Sequence, residues 1–189
     1  MGSQHYLSDA YLAGFLDGDG SVVATLERYY SKRFPYRVRI KVNFTQHARH
    51  KDKLKLMQEA LGGLGVIRTN VRKNLAELVI QERSQVQAVL ARLVPFLLIK
   101  KDQANLALEV LEGMGSNEKH KPSTLSGRVY IRILSLVQKI RGLNSHTGGK
   151  REVRVFDPVT TEFPENTGMK TGLSSPVRRK PLERTRVKV

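Results

Sequence analysis

The residues PYRVRIKVNFTQ, 35 to 46, alternate strictly. Val38, Ile40, Val42 and Phe44 fall on one side, and Arg37, Arg39, Lys41 and Asn43 on the other. A period of two predicts a half-buried strand. The preceding VVATLERYY reads as its partner across a basic turn at Lys32 and Arg33, with Thr25, Glu27 and Tyr29 on the polar side. Ahead of this hairpin, Ser8 is placed to cap a helix from about Asp9 to Asp17, with Leu12, Phe15 and Leu16 as its apolar side. Another helix is predicted from about Lys51 to Leu61, with Leu54, Met57, Ala60 and Leu61 at helical spacing, and GGLG stops it.

A second hairpin follows, VIRTNVRKN and AELVIQER, turning near Lys73 and Asn74. Arg68, Asn70 and Arg72 share a face of one strand, and Glu77, Val79 and Gln81 a face of the other. Helices are then predicted over about Ser84 to Leu93, Asp102 to Met114 and Ser123 to Leu143, punctuated by Pro95 and Pro122. The order αββ-αββ-α predicts an α+β fold: a four-stranded antiparallel, saddle-like sheet with its helices on one face. The other face stays open and is strongly cationic.

Charge sharpens this picture. The chain carries formal net charge +16 over 189 residues. Residues 1–150 hold 24 Lys and Arg against 12 acids, and residues 151–189 hold 9 against 5, so the surplus belongs to the folded part as well as to the tail. A polyanionic partner is expected, nucleic acid before anionic membrane, and a two-stranded ribbon fits the DNA major groove. No run approaches the roughly 20 apolar residues of a bilayer span, and MGSQHYLSDA lacks the layout of a secretory signal. With no cysteine there is neither a disulfide framework nor a thiolate zinc site. An intracellular location is expected, in cytoplasm, nucleoid or an organelle. Four of the seven prolines fall after residue 150, so residues 151–189 read as a basic extension with one short hairpin and an arm.

The stretch LAGFLDGDG, residues 12 to 20, resembles the signature of the LAGLIDADG homing endonucleases. FTQ at the end of the second strand, LVPFLLIKKDQANLALEVLE and IRGLNSHTGGK resemble the single-motif members of that family. The likeness spans roughly residues 6 to 150, which makes 1–150 the expected endonuclease domain. A single copy of the motif implies a homodimer, the two motif helices pairing along the small residues Ala13, Gly14 and Gly18, with Asp17 ending the interface helix. Asp19 of both subunits would then lie close together, and two such carboxylates repel unless cations lie between them. Oxygen-bound magnesium suits that place, with manganese or calcium able to occupy it.

By the resemblance, Asp19 is the catalytic carboxylate and metal ligand, and the Gly18 carbonyl a further ligand. Helix capping does not explain Asp19, since an acid at a helix C-terminus opposes the macrodipole. Gln46 corresponds to a polar residue that positions water, and Lys100, favoured over Lys101, to a lysine that supports the scissile phosphate. Arg49 or His50 corresponds to a basic position nearby. His5, His47, His120 and His146 show no metal-ligand spacing. The resemblance further implies double-stranded DNA as substrate, a long pseudo-palindromic target, short 3′ overhangs and intron mobility.

Base contacts are expected first from Arg37, Arg39, Lys41, Asn43, Arg68, Asn70 and Arg72. Thr25, Glu27, Tyr29, Glu77 and Gln81 rank second, and Ser145, Thr147 and Lys150 are expected on the phosphate backbone. An RNA maturase and a non-catalytic DNA-binding regulator are the alternatives on the same fold; RNA is a partner only under the first.

Overall fold

Ser8 starts the first element as expected, its hydroxyl accepting the Tyr11 N–H at 3.2 Å. The computed structural model describes residues 7–28, 34, 36–115 and 125–144. Helix α1 runs Asp9–Asp19, two residues further than its acids and glycines suggest, so Asp17 and Asp19 are both helical. It closes where the Gly20 N–H donates to the Leu16 carbonyl, and the chain turns there straight into a strand. A Cβ on Gly20 would lie 2.5 Å from Leu16 Cδ1, 2.8 Å from Leu16 Cα and 2.9 Å from the Asn43 carbonyl oxygen. Only glycine lets helix, turn and neighbouring strand approach this closely.

Strand β1 (Gly20–Arg28) pairs antiparallel with β2 (Tyr36–His47), and helix α2 (Lys51–Ala60) follows. Strands β3 (Val66–Asn70) and β4 (Leu75–Ile80) form the second hairpin, before α3 (Arg83–Leu93), α4 (Lys101–Met114) and α5 (Gly127–Asn144). Sheet order is β1-β2-β4-β3, every pairing antiparallel. The α+β fold and element order are those expected. The second hairpin is shorter than predicted, because the Asn70 side chain accepts the Lys73 N–H and Asn74 adopts φ +53°. Val71–Lys73 therefore turn as a 3-10 segment, which carries Arg72 off the strand to the hairpin tip. Gln81 likewise lies just past the end of β4.

One face of the sheet is apolar. Val22, Ala24, Val38, Ile40, Val42, Phe44, Ala76, Leu78 and Ile80 are buried against Leu12, Leu16, Leu54, Leu90, Ala107, Val110, Ile133 and Val137 of the helices. This burial is the main stabilising term. Ala13 is fully buried in the same core. It is therefore not available to a second subunit, which corrects its expected place on a dimer surface. Helix α5 is tied down at both ends of its span. The Tyr130 hydroxyl donates to the Tyr36 carbonyl at 3.0 Å and accepts the Tyr36 N–H at 3.1 Å, and Asn144 Nδ2 donates to the Val22 carbonyl at 2.8 Å. Burial pushes the Tyr130 phenol up to about 12. Among the described residues no helix is long and apolar enough to cross a membrane.

Candidate functional site

Two acids end α1 two residues apart. At 3.6 residues per turn they point about 200° away from each other around the helix axis. Asp17 turns to the loop that leads into α4. Its Oδ2 accepts the N–H groups of Leu98 at 2.7 Å and Ile99 at 3.1 Å, and its Oδ1 that of Lys100 at 2.8 Å. Burial pushes this carboxyl up, but the three N–H groups and the Lys100 ammonium outweigh it and hold it below the usual aspartate value. Helix α4 has no side-chain cap of its own at Lys100, so an anion from α1 stands at its N-terminus, where the macrodipole favours one.

Asp19 turns to the end of β2 and is exposed. Its Oδ2 accepts Gln46 Nε2 at 2.8 Å. Lys100 folds back over the same corner, Nζ donating to the Asp17 carbonyl. Burial draws the Lys100 amine below the usual lysine value, and the Asp17 and Asp19 carboxylates partly offset that. The fold thus gathers Asp19, Gln46 and Lys100 from three elements. Lys101 makes no bond to either acid. Gly18 sits in the last turn of α1, where helix carbonyls lack helical partners, and nothing lies within 4 Å of its would-be Cβ. Beside Gln46, Arg49 bridges two histidines, its N–H donating to His47 Nδ1 at 3.2 Å and its Nε to His50 Nε2 at 3.0 Å. Among the described residues no group of three or more His, Cys, Asp or Glu is arranged to hold a metal ion.

The sheet face opposite the helices begins at this corner. Register puts Ser21 opposite Asn43, Val23 opposite Lys41, Thr25 opposite Arg39 and Glu27 opposite Arg37. Thr45 faces Glu77, which faces Arg68, and Asn43 faces Val79, which faces Val66. One surface therefore carries Thr25, Glu27, Arg37, Arg39, Lys41, Asn43, Glu77, Arg68 and Asn70. Glu27 is bound to Arg39, Oε2 to Nε at 2.6 Å. Tyr29, Ser145, Thr147 and Lys150 lie outside the described residues, as do His5, His120, His146 and the extension 151–189. Sequence reading missed Ser21, Thr45 and the apolar Val23 and Val66 on this face. The parity of Thr25 and Asn43, continued along each strand, marks Ser21, Val23 and Thr45; apolar Val23 and Val66 interrupt the polar pattern of the face.

A second surface adjoins the acids. Gly14 and Gly18 are exposed on α1 with Tyr11, and the loop that Asp17 holds presents Phe96, Leu98 and Ile99. Leu98 is 88% exposed and Ile99 72%. These large apolar side chains are held out in the open by the loop that Asp17 fixes.

A model of the LAGLIDADG endonuclease family matches residues 12–105. The DNA endonuclease I-CreI of Chlamydomonas reinhardtii is 32% identical over 135 residues, 71% of this chain and 77% of the relative. The DNA endonuclease I-CvuI of Chlorella vulgaris is 28% identical over 153 residues, 81% of this chain and 88% of the relative. A crystal structure of I-CvuI bound to the I-CreI target in the presence of magnesium, with the DNA not cleaved, superposes with TM-score 0.65 and 27% identity, covering 76% of this chain and 84% of that one.

Proposed function

The chain belongs to the LAGLIDADG homing endonuclease family, and we propose that it acts as a homodimer that hydrolyses both strands of a long, pseudo-palindromic DNA target with a divalent metal. The observation that carries this reading is the corner where Asp19, Gln46 and Lys100 converge at the edge of a cationic sheet face. Homodimer formation is supported by the single motif and by the exposed Tyr11, Phe96, Leu98 and Ile99 beside the bare glycines of α1. A two-fold pair presents two equal faces, hence the near-palindromic site. Short 3′ overhangs and intron mobility complete the proposal, as the family implies. Ser145, Thr147 and Lys150 are proposed as backbone contacts and Tyr29 as a further base contact, and residues 151–189 as a basic extension.

The donor set fits magnesium. Asp19 offers an exposed carboxylate with one oxygen bound to Gln46, and Gly18 a helix-end carbonyl. Both are hard oxygen donors, and magnesium takes one or two carboxylates together with phosphate oxygens and water. When bound, the metal lowers the pKa of a coordinated water and neutralises charge on the leaving oxygen. The chain's own residues do the rest. Gln46 fixes the Asp19 carboxylate and can orient a water. Lys100, held by Asp17, stands as a cation beside the place where phosphate charge develops. Arg37, Lys41 and Arg68 draw in the phosphates that fix the register.

Asp19→Asn tests the reading. The variant keeps its affinity for DNA and loses magnesium-dependent cutting of a plasmid that carries the intron-less host allele. Cutting at the wild-type rate by this variant sinks the assignment of Asp19.

A further inference from the structure

We propose that Glu27 is a positioning residue for recognition: it fixes Arg39 as an oriented guanine reader and sets it apart from the other cations of the sheet. This rests on the DNA-binding reading above. Glu27 lies directly opposite Arg37, yet its carboxylate takes the diagonal Arg39, Oε2 to Nε at 2.6 Å. The pair is part-exposed, 37% for Arg39 and 44% for Glu27, and such pairs contribute little to folding. An acid on a face that meets phosphate also weakens attraction to DNA of any sequence. Neither stability nor affinity therefore accounts for Glu27.

Orientation does. A free arginine spreads over many rotamers, and ordering it on binding costs entropy. Tethering Nε removes much of that freedom and leaves Nη1 and Nη2, a planar fork that matches guanine O6 and N7. Arg37 makes no ion pair among the described residues, and Lys41 faces Val23. The face thus has one tethered arginine amid untethered cations: the first reads a base, the others draw in phosphate. Glu77, the other described acid on the face, also sits directly opposite an arginine, Arg68.

The test is selection from a randomised duplex library with the full-length protein in metal-free buffer, read by sequencing. Wild type enriches sites with a guanine position in each half, and Arg39→Ala erases that preference by about 5- to 150-fold. Glu27→Gln weakens the preference at the same position, leaves other positions unchanged, and binds unselected DNA more tightly, with a log–log salt slope steeper by about one per face. Glu27→Asp, one methylene shorter, keeps the wild-type salt slope but loses the preference. Arg37→Ala weakens binding without changing any position. On an Arg39→Ala background, Glu27→Gln changes nothing at that position. An intact guanine preference in Glu27→Gln, or an equal loss at every position, overturns the proposal while leaving DNA binding standing. If wild type enriches no sequence at all, the DNA-binding reading falls and this inference with it.

Discussion

Replacing Asp17 with alanine removes the anion that holds the loop before α4. Three N–H groups, those of Leu98, Ile99 and Lys100, lose their acceptor at once. Hydrogen bonds to a charged group are worth about 1.5–3 kcal/mol each where water is excluded. Here the Leu98 and Ile99 bonds lie in the open, so water takes over much of what the carboxylate supplies. The nearest comparison is the loss of an aspartate N-cap, about 0.5–2 kcal/mol. Three donors put Asp17→Ala at the top of that range, about 2 kcal/mol, which for a chain of this size lowers Tm by about 4–8 °C. The folded carboxyl titrates below the usual aspartate value, so its stabilisation is fully present above the unfolded pKa and disappears as pH falls through the folded one. In thermal and urea denaturation the gap between wild type and variant is therefore flat from about pH 5 upward and closes in acid below about pH 4. Cleavage falls too, because the lysine that Asp17 positions loses both its N–H acceptor and its loop. A gap under about 0.5 kcal/mol at neutral pH, or one undiminished in acid, refutes the capping argument.

Two further substitutions probe the frame of the site. Gly20→Ala puts a methyl group onto Leu16 and the Asn43 carbonyl and destabilises by about 1–3 kcal/mol, measured as a shift of the urea midpoint; an unchanged midpoint would mean that the turn has slack. Leu98→Asn with Ile99→Asn removes two exposed apolar side chains and yields a monomer by light scattering with little change in Tm. The homodimer proposal requires wild type to run as a dimer in the same measurement. A monomeric wild type, with or without DNA, ends the homodimer proposal.

What the sequence made legible follows the reach of each signal. Strict alternation in β2 placed every residue from Arg37 to Phe44 on its observed side, because a strand's facing is set residue by residue. The motif helix was harder. Its small residues surround it, so composition does not tell Ala13, buried in the core, from Gly14, exposed beside it. Boundaries failed where a side chain made the decision: Asn70 ends β3 by bonding to Lys73, and that bond removes Arg72 from the face. Partners far apart in the chain were invisible. Asp17 meets residues 81 to 83 positions away, and Glu27 chooses the diagonal arginine over the opposite one. Periodicity gives the facing of a side chain but not its partner.

The two acids of the motif show why this matters for function. They differ by two positions, are chemically identical and end the same helix, yet they are not exchangeable. Helix geometry sends one carboxylate to backbone N–H groups, where three donors fill most of its acceptor sites and leave less capacity for a cation. It sends the other to an amide that donates once, to one oxygen. A carboxylate already satisfied by the protein is a poor metal ligand, and an exposed one with a free oxygen is a good one. The separation depends on α1 staying helical through Asp19, and that depends on Gly20 closing the helix where no side chain fits. A chain that frayed at Asp17 would lose the angle that assigns each acid its work. Gly20 thus frames the site that the two acids build, and Gly20→Ala should lower cutting by more than its loss of folded protein accounts for, measured at a temperature where the variant is fully folded. Equal activity per folded molecule would show that the acids keep their places without it.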